Sequence, residues 1–529
     1  MPVATTRTVS LQGATGHLID VQADVSQGTV GTTVVGRPDV SLHEARDRCR
    51  MAVQNSGYAW PMTRRVTILL SPADLLKSGT HFDLAMATAV LAAAGEIPPE
   101  ALVDTVFIGE LTLTGGLRSV PGVLPMVLAA SARGCDRVFV PEPQAREAAM
   151  VPGVSVFGMR SLGQVVEELR GAEVPEAPPV APLSAQRLLT WRGQDRMREL
   201  DLADLHGMAD AKYAAEVAAA GGHHLMLSGP KGSGKTSLAE RISGLLPDLS
   251  AEESLELTAI LSLAGTLDPG QPMVRRPPFS APHHDASKAA LIGGGTGRVR
   301  PGELSRAHGG VLFLDEFPLL AIDVVEALRQ PLESGEVTIA RGLESATFPA
   351  RAMVVLASNP CPCGDYSADA RLSTCTCGEV VRRHYQRKLS GPITDRIDIV
   401  RHLTALAGRD LGQAVTGRRD STATVRARVS AARERQTVRY AGLGWRTNGQ
   451  VPGPVLTEEW PLTASARRTL DDAVVAGRLT ARGATRVHRL AWTVADLDGV
   501  GPPGPRELDV ALRLRLGEPL LQATVERAG

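Results

Sequence analysis

Residues 225–242 read LMLSGPKGSGKTSLAERI. From Gly229 through Pro230, Lys231, Gly232, Ser233 and Gly234 to Lys235 and Thr236 the stretch fits GxxxxGK[ST]. It follows a strand-like run, HHLMLS, and opens a helix-like one, TSLAERISGLL. That context turns a glycine-rich string into a phosphate loop. The glycines let backbone N–H groups wrap phosphates at a helix N-terminus. Lys235 is then placed for the β- and γ-phosphates, and Thr236 for Mg²⁺. ATP and Mg²⁺ are the expected cofactors, and an α/β layout is the expected fold.

A second strand signal is GGVLFLDEF, 309–317, in which four apolar residues run into Asp315 and Glu316. Adjacent acids at a strand end suit a cation and a water. Asp315 is expected in the Mg²⁺ shell with Thr236, and Glu316 as the general base. A third, RAMVVLASNP, ends in Asn359. Its amide could position the attacking water, or simply turn the chain before Pro360. Next comes CPCGDYSADARLSTCTC, which spaces Cys361, Cys363, Cys375 and Cys377 as CxC-x11-CxC. Four thiolates in one loop could hold a structural Zn²⁺; free or redox-active thiols are the alternative. The loop is expected to lie outside the phosphate cradle. His283 and His284 are a second candidate ligand pair, or a polar loop contact.

The chain has 529 residues, 43% of them hydrophobic, enough for about three domains. Lys plus Arg equals Asp plus Glu at 57 each, so any nucleic-acid affinity needs a local patch. Aromatics at 3% make base stacking a poor binding mode. With no apolar run of about 18–20 residues and no signal-peptide layout at the start, the expectation is a cytoplasmic protein with no membrane partner. Residues 173–186 are a Pro-rich linker. Before it, 1–172 alternates strand runs (RRVTILLSP, DTVFIGELTLTG, DRVFVPEP, GVSVFGM) with helix runs (SLHEARDRCRMAVQNSG, FDLAMATAVLAAAG, VLPMVLAASARG). After it, 187–400 reads as a second α/β unit. The remainder, 401–529, reads as helical and Arg-rich without a good strand, interrupted by a loop at GLGWRTNGQVPGPVLTEEWP.

Six stretches together resemble one family: GPKGSGKT, FSAPHHDASKAALIGGG, RPGELSRAHGGVLFLDEF, LRQPLESGEVTIAR, ASNPCPCG and SGPITDRIDI. They are similar to the magnesium-chelatase-like branch of the AAA+ ATPases, and within it to the ComM/YifB competence-protein type. The resemblance implies an AAA+ core with a parallel sheet, a helical C-terminal lid, and a homo-oligomeric ring, usually a hexamer, with ATP between subunits. It implies that Asn359 is the sensor-1 residue, that Arg396 in TDRID is an arginine finger for the neighbour's γ-phosphate, and that Arg482 in LTARGATRVHRLA is the sensor-2 arginine. The alternative reading of Arg396 is a salt bridge with Asp395 or Asp398, and that of Arg482 a solvated helix face.

The N-terminal unit resembles the proteolytic domain of Lon through PADLLKSGTHFDLAMATAVLAA and GELTLTGGLRSVPGVLPMVLAASARGCDRVFVP. Lon uses a Ser–Lys dyad; here the serine position falls on His81 and the lysine position on Leu124. A scaffold without protease chemistry is expected, although Lys77 and Ser78 lie nearby. Two insertions would face a ring's pore. One carries Arg275, Arg276, Lys288, Arg298, Arg300 and Arg306; the other is hairpin-like, with Arg341 near its turn. From Arg382 to Arg439 there are 13 Arg and one Lys against five acids, a stripe that suits phosphate backbone. The resemblance implies a motor that remodels single-stranded or branched DNA, by helicase action or branch migration. A metal-insertion ATPase subunit and a chaperone acting on protein are the alternatives.

Overall fold

The computed structural model describes residues 3–183, 200–268, 273–295, 299–341, 344–366, 373–389, 393–404, 420–522 and 524. The N-terminal body is built on a mixed seven-stranded sheet. Strands β1 (Ala4–Gln12) and β2 (Thr15–Ser26) pair antiparallel, and β4 (Arg65–Ser71) adds antiparallel to β2. Strand β3 (Gly31–Val35) lies parallel on β4. On the other side, β5 (Thr105–Phe107), β6 (Arg137–Pro141) and β7 (Ser155–Met159) run parallel, giving the order β3-β4-β2-β1-β5-β6-β7. Val66, Ile68 and Leu70 alternate into the core, as the period of a strand requires. Helices α1 (Val40–Asn55), α2 (Asp83–Ala93) and α3 (Val123–Ser131) match the helical runs in the sequence. The β1–β2 hairpin was not among the strands expected from sequence, because Thr, Ser, Gln and Asp fill much of it.

The described part of the linker, residues 173–183, lies along this body. Gln164 Nε2 donates to the Pro175 carbonyl, Arg160 to Ala177 and Ser119 Oγ to Ala181. Residues 184–186 lie outside the described part.

The second body begins with α4 (Ala209–Gly221), which leads into β8 (Leu225–Ser228) and α5 (Lys235–Leu245), followed by α6 (Ala251–Ala264). Its five-stranded sheet has the order β9-β10-β13-β8-β14, with β9 (Phe279–Ser280), β10 (Val311–Leu314), β13 (Met353–Ser358) and β14 (Ile399–His402). All pairings are parallel. Both faces are buried, hence the unbroken apolar runs. Leu225, Leu227, Val311, Phe313, Val355 and Ala357 point to one core, while Met226, Leu312, Leu314, Val354 and Leu356 point to another. Between β10 and β13 stands an antiparallel hairpin, β11 (Glu336–Arg341) and β12 (Glu344–Pro349), as the sequence led us to expect. Strand β14 runs to His402, two residues past the expected end of this unit at 400. Its pairing with β8 outweighs the polarity of Arg401 and His402.

The C-terminal part is helical. Helix α8 (Thr422–Arg439) packs on α4 and α5, and α9 (Ala464–Val475), α10 (Ala481–Asp498) and α11 (Pro505–Leu516) complete it. The segment read as a loop contains a helix, Gly453–Glu459, started by Pro452 and Pro454. The N-terminal body meets the second body where α3 packs on α6. Glu147 accepts there from the Ser262 hydroxyl at 2.5 Å and from the Leu124 N–H at 2.9 Å. Among the described residues, no helix is long and apolar enough to cross a membrane.

Candidate nucleotide site and thiol cluster

The phosphate loop leaves the C-terminal end of β8. Its backbone explains its glycines. A Cβ on Gly229 would stand 2.5 Å from the Leu403 carbonyl oxygen, and Gly232 and Gly234 have φ of 73° and 84°. Asp315 and Glu316 follow β10, and Asn359 follows β13, so all three arrive beside the loop. The side chains form one connected set. The Lys235 ammonium donates to Asn359 Oδ1 at 3.1 Å and to the carbonyls of Gly229 and Pro230 at 2.8 Å each. Asn359 Nδ2 donates to Glu316 Oε1 at 3.3 Å. The Glu316 N–H donates to Asp315 Oδ1 at 2.9 Å, and the Thr236 hydroxyl donates to Asp315 Oδ2 at 3.1 Å. Burial lowers the Lys235 pKa, and Asp315 and Glu316 oppose that shift. Glu316 sits at φ 46°, a left-handed conformation that costs a non-glycine residue about 1–3 kcal/mol and is concentrated at functional sites. Thr236 and Asp315 offer two hard oxygen donors side by side, the set that suits Mg²⁺.

Arg396 and Arg482 lie elsewhere. Arg396 precedes β14, at the N-terminal ends of the parallel strands. It is buried, donates to the Arg329 carbonyl at 3.0 Å and pairs with Glu333 at 2.9 Å. Its acid partner is thus Glu333, not the Asp395 or Asp398 weighed from sequence. Arg482 is exposed in the first turn of α10. With Arg486, Arg489, His224, Asp398 and Glu333 it lines a cavity of about 1050 Å³ at the same edge of the sheet. A four-residue strand spans about 13 Å. One chain therefore holds these arginines and its own phosphate loop at opposite ends of the sheet.

The four cysteines converge. Cys361 Sγ stands 3.2 Å from Cys363 and 3.6 Å from Cys375, and Cys363 stands 3.5 Å from Cys375. One sulfur from each, Cys377 included, falls within 4.8 Å of the others. The Asp365 N–H and the Cys361 thiol, as hydrogen-bond donors, pull the Cys363 pKa down to about 6, while burial pushes Cys361 up. His283 and His284 are not part of this group. They meet Asp285 at 3.3 and 3.6 Å on the surface. The cluster is not clear of the phosphate cradle, contrary to the sequence expectation. A Cβ on Gly364 would stand 2.7 Å from Cγ of Lys231, inside the phosphate loop. The reason is topological: Cys361 is two residues beyond Asn359.

From Arg396 onward the described arginines of the basic stripe make internal contacts, whereas Arg383 and Arg387 are exposed. Arg401 pairs with Asp210, Arg428 with Glu216 and Asp420, and Arg439 with Asp496. Arg426, Arg433 and Arg435 donate to the carbonyls of Leu246, Ala219 and Asp496. Arg401 ties β14 to α4, and the others fasten α8 to α4, α5 and α10. Arg409, Arg418 and Arg419 lie outside the described residues. Within the insertions, Arg275, Lys288 and Arg300 are exposed, Arg276 pairs with Asp248 and Arg306 with Glu303. Arg298 and the side chain of Arg341 lie outside the described part. At the two positions where a Ser–Lys dyad was sought, the His81 ring bonds the Val9 carbonyl at 2.8 Å and Leu124 is fully buried. Lys77 is buried with its ammonium on the Pro72 carbonyl.

A phosphate loop, an acidic pair and an asparagine on adjacent parallel strands define a P-loop ATP-binding protein of the α/β type. Three family descriptions match the chain: magnesium chelatase, subunit ChlI, over residues 201–411; its C-terminal part over 419–515; and subunit ChlI of Mg-chelatase over 21–144. The chain is 46% identical to a Mycobacterium tuberculosis protein over 507 residues, covering 96% of this chain and 97% of the relative. It is 37% identical to the YifB protein of Escherichia coli over 527 residues, 100% and 98% of the two chains. It is also 37% identical to the competence protein ComM of Haemophilus influenzae over 487 residues, 92% of each. The chain belongs to the magnesium-chelatase-like ComM/YifB family of AAA+ ATPases.

Proposed function

We propose that the protein hydrolyses ATP as a ring, in which Arg396 and Arg482 of one copy complete the nucleotide site of the next, and that the ring remodels branched or single-stranded DNA. The observation that carries the ring is the placement of the arginines and the phosphate loop at opposite ends of one sheet. A planar cation stabilises charge on the transferred phosphoryl group only at contact distance. In the cycle, Lys235 draws the β- and γ-phosphates, Thr236 and Asp315 hold Mg²⁺, Glu316 takes a proton from water and Asn359 fixes that water. A hexamer is the size that the family resemblance implies.

The DNA reading draws on the competence name of the Haemophilus relative and on the exposed Arg275, Lys288 and Arg300 between α6 and β10. The described arginines from Arg401 to Arg439 are committed to internal contacts and do not contribute to it. We assign 1–172 as a Lon-like scaffold without a dyad, since His81 and Leu124 offer no nucleophile and no ammonium. The linker is 173–186, the ATPase core 187–400 with its thiol insert, and the lid 401–529; the protein works in the cytoplasm. The test is ATP-dependent conversion of a synthetic four-way junction into separated duplexes, with ATPase rates measured with and without single-stranded, duplex and branched DNA. Brisk hydrolysis without binding or remodelling of any DNA at low salt would overturn the motor reading. A metal-insertion subunit remains the second reading, favoured by the ChlI matches over 201–411 and 419–515.

A further inference from the structure

We propose that Cys361, Cys363, Cys375 and Cys377 bind one Zn²⁺, and that this metal is a positioning clamp for the ATP site, setting hydrolysis through Asn359 and the phosphate loop. The clamp rests on the ATPase reading above; the metal site does not.

The metal follows from the sulfurs. A tetrahedral ion with Zn–S of about 2.3 Å separates its ligands by about 3.8 Å. The separations of 3.2, 3.5 and 3.6 Å are close to that edge and far beyond the roughly 2.05 Å of a disulfide. As the ion binds, each sulfur gives its proton to solvent and coordinates as thiolate, leaving the ion's charge unchanged.

The clamp follows from what the cluster touches. Only Pro360 separates Cys361 from Asn359, whose amide bridges Lys235 and Glu316. Gly364, with φ of 86°, closes the turn against the aliphatic chain of Lys231. On the other side the buried Tyr385, on α7 (Glu379–Leu389) just after Cys377, lies beside Asn359. The thiol turn is thus held to the phosphate loop at Lys231 and to the catalytic strand at Asn359. A metal that fixes this turn fixes both. Since Lys235 and Thr236 lie outside the turn, nucleotide affinity should change less than turnover.

The experiment uses full-length protein purified without chelator. Elemental analysis should find about one zinc per chain. Cobalt substituted for zinc should give the absorption of a tetrahedral thiolate site. Cys375→Ser should lose the metal and lower kcat about tenfold, with the affinity for a fluorescent ATP analogue within about twofold. Gly364→Ala keeps every thiol but drives a Cβ into Lys231. It should retain zinc and still lose turnover, which separates the clamp from mere metal loss and serves where Cys375→Ser fails to fold. No bound metal and no cobalt spectrum would overturn the site. Zinc present and lost in Cys375→Ser, with kcat unchanged in both variants, would overturn the clamp. A wild-type protein that holds zinc but hydrolyses no ATP with any DNA would instead sink the ATPase reading and leave the metal site standing.

Discussion

Arg486→Met should loosen the helical C-terminal part from the ATPase sheet. Asp398 is 4% exposed and sits just before β14. Arg486 donates to its Oδ1 at 2.6 Å, and the His224 N–H donates to Oδ2 at 3.0 Å. Burial alone would raise the pKa of this carboxyl, but the His223 ring and the Arg486 guanidinium outweigh it and hold it well below the usual carboxylate range. Removing one partner of a buried pair costs about 3–5 kcal/mol, because the other charge is left uncompensated. Arg486 is 14% exposed and the His224 N–H remains, so the lower end, about 3 kcal/mol, is expected. For a cooperative unit of this size that is a fall in Tm of about 6–12 °C. The pH dependence has a definite sign. A depressed carboxyl contributes stability above its unfolded pKa, about 3.9, and loses it as pH falls toward the folded value. Because the unfolded state is common to both proteins, the difference between wild type and Arg486→Met is set by their folded carboxyls, and it should shrink as pH falls and Asp398 is protonated in the variant before the wild type. Trp445, Trp460 and Trp492 cluster in this part of the molecule, so urea unfolding followed by tryptophan fluorescence reads the affected region. Pairing the change with Asp398→Asn should recover more than half of the loss, since no charge is then stranded. A loss below about 1 kcal/mol, or a double variant no better than the single, would refute the uncompensated-charge explanation.

Lys235→Ala should nearly abolish ATP turnover, whereas Glu316→Gln should bind nucleotide and fail to hydrolyse it; normal turnover in Glu316→Gln would remove Glu316 as the base. Arg396→Ala should retain nucleotide affinity and lose kcat, and mixing it with Lys235→Ala chains should restore some activity. No recovery in any mixture, with a monomer in sedimentation at saturating ATP, would end the ring model. Gly229→Ala should abolish nucleotide binding while circular dichroism stays near wild type, because its Cβ meets the Leu403 carbonyl at 2.5 Å within a local turn.

The nucleotide site was legible because its parts are local. A phosphate loop needs glycines at fixed spacing within one short segment, and the acids and the amide each end an apolar run of strand. Three separate segments could be read before anything was known of their neighbours, and the parallel order β10-β13-β8 then brings them together. The thiol spacing was equally visible, but its place was not, since nothing in CPCG says that Gly364 lies on Lys231. The buried pair of Asp83 and Arg48 was missed altogether. Its two bonds, at 2.8 and 3.0 Å, join residues 35 apart, and no local pattern signals them.

The arginines show where composition misleads. A local excess of nine cations from Arg382 to Arg439 reads as an anion-binding face only if the compensating acids are sought within the same segment. They lie elsewhere: Asp210 and Glu216 come some 190 and 212 residues earlier than their partners, and Asp496 comes 57 later. Carbonyls at the ends of α4 and α10 take up others, because a helix C-terminus carries orphan acceptors and a partial negative charge. The arginines of α8 therefore fasten it to helices drawn from both sides of it in the chain. A DNA-contacting surface has to be sought among cations without such work. By that criterion Arg275, Lys288 and Arg300 are the residues to test. Replacing the three together with Gln should weaken DNA binding and flatten its salt dependence by about three phosphate contacts, while ATPase activity without DNA stays at its wild-type level. If DNA affinity and salt slope are unchanged, the insertion between α6 and β10 is not where nucleic acid binds.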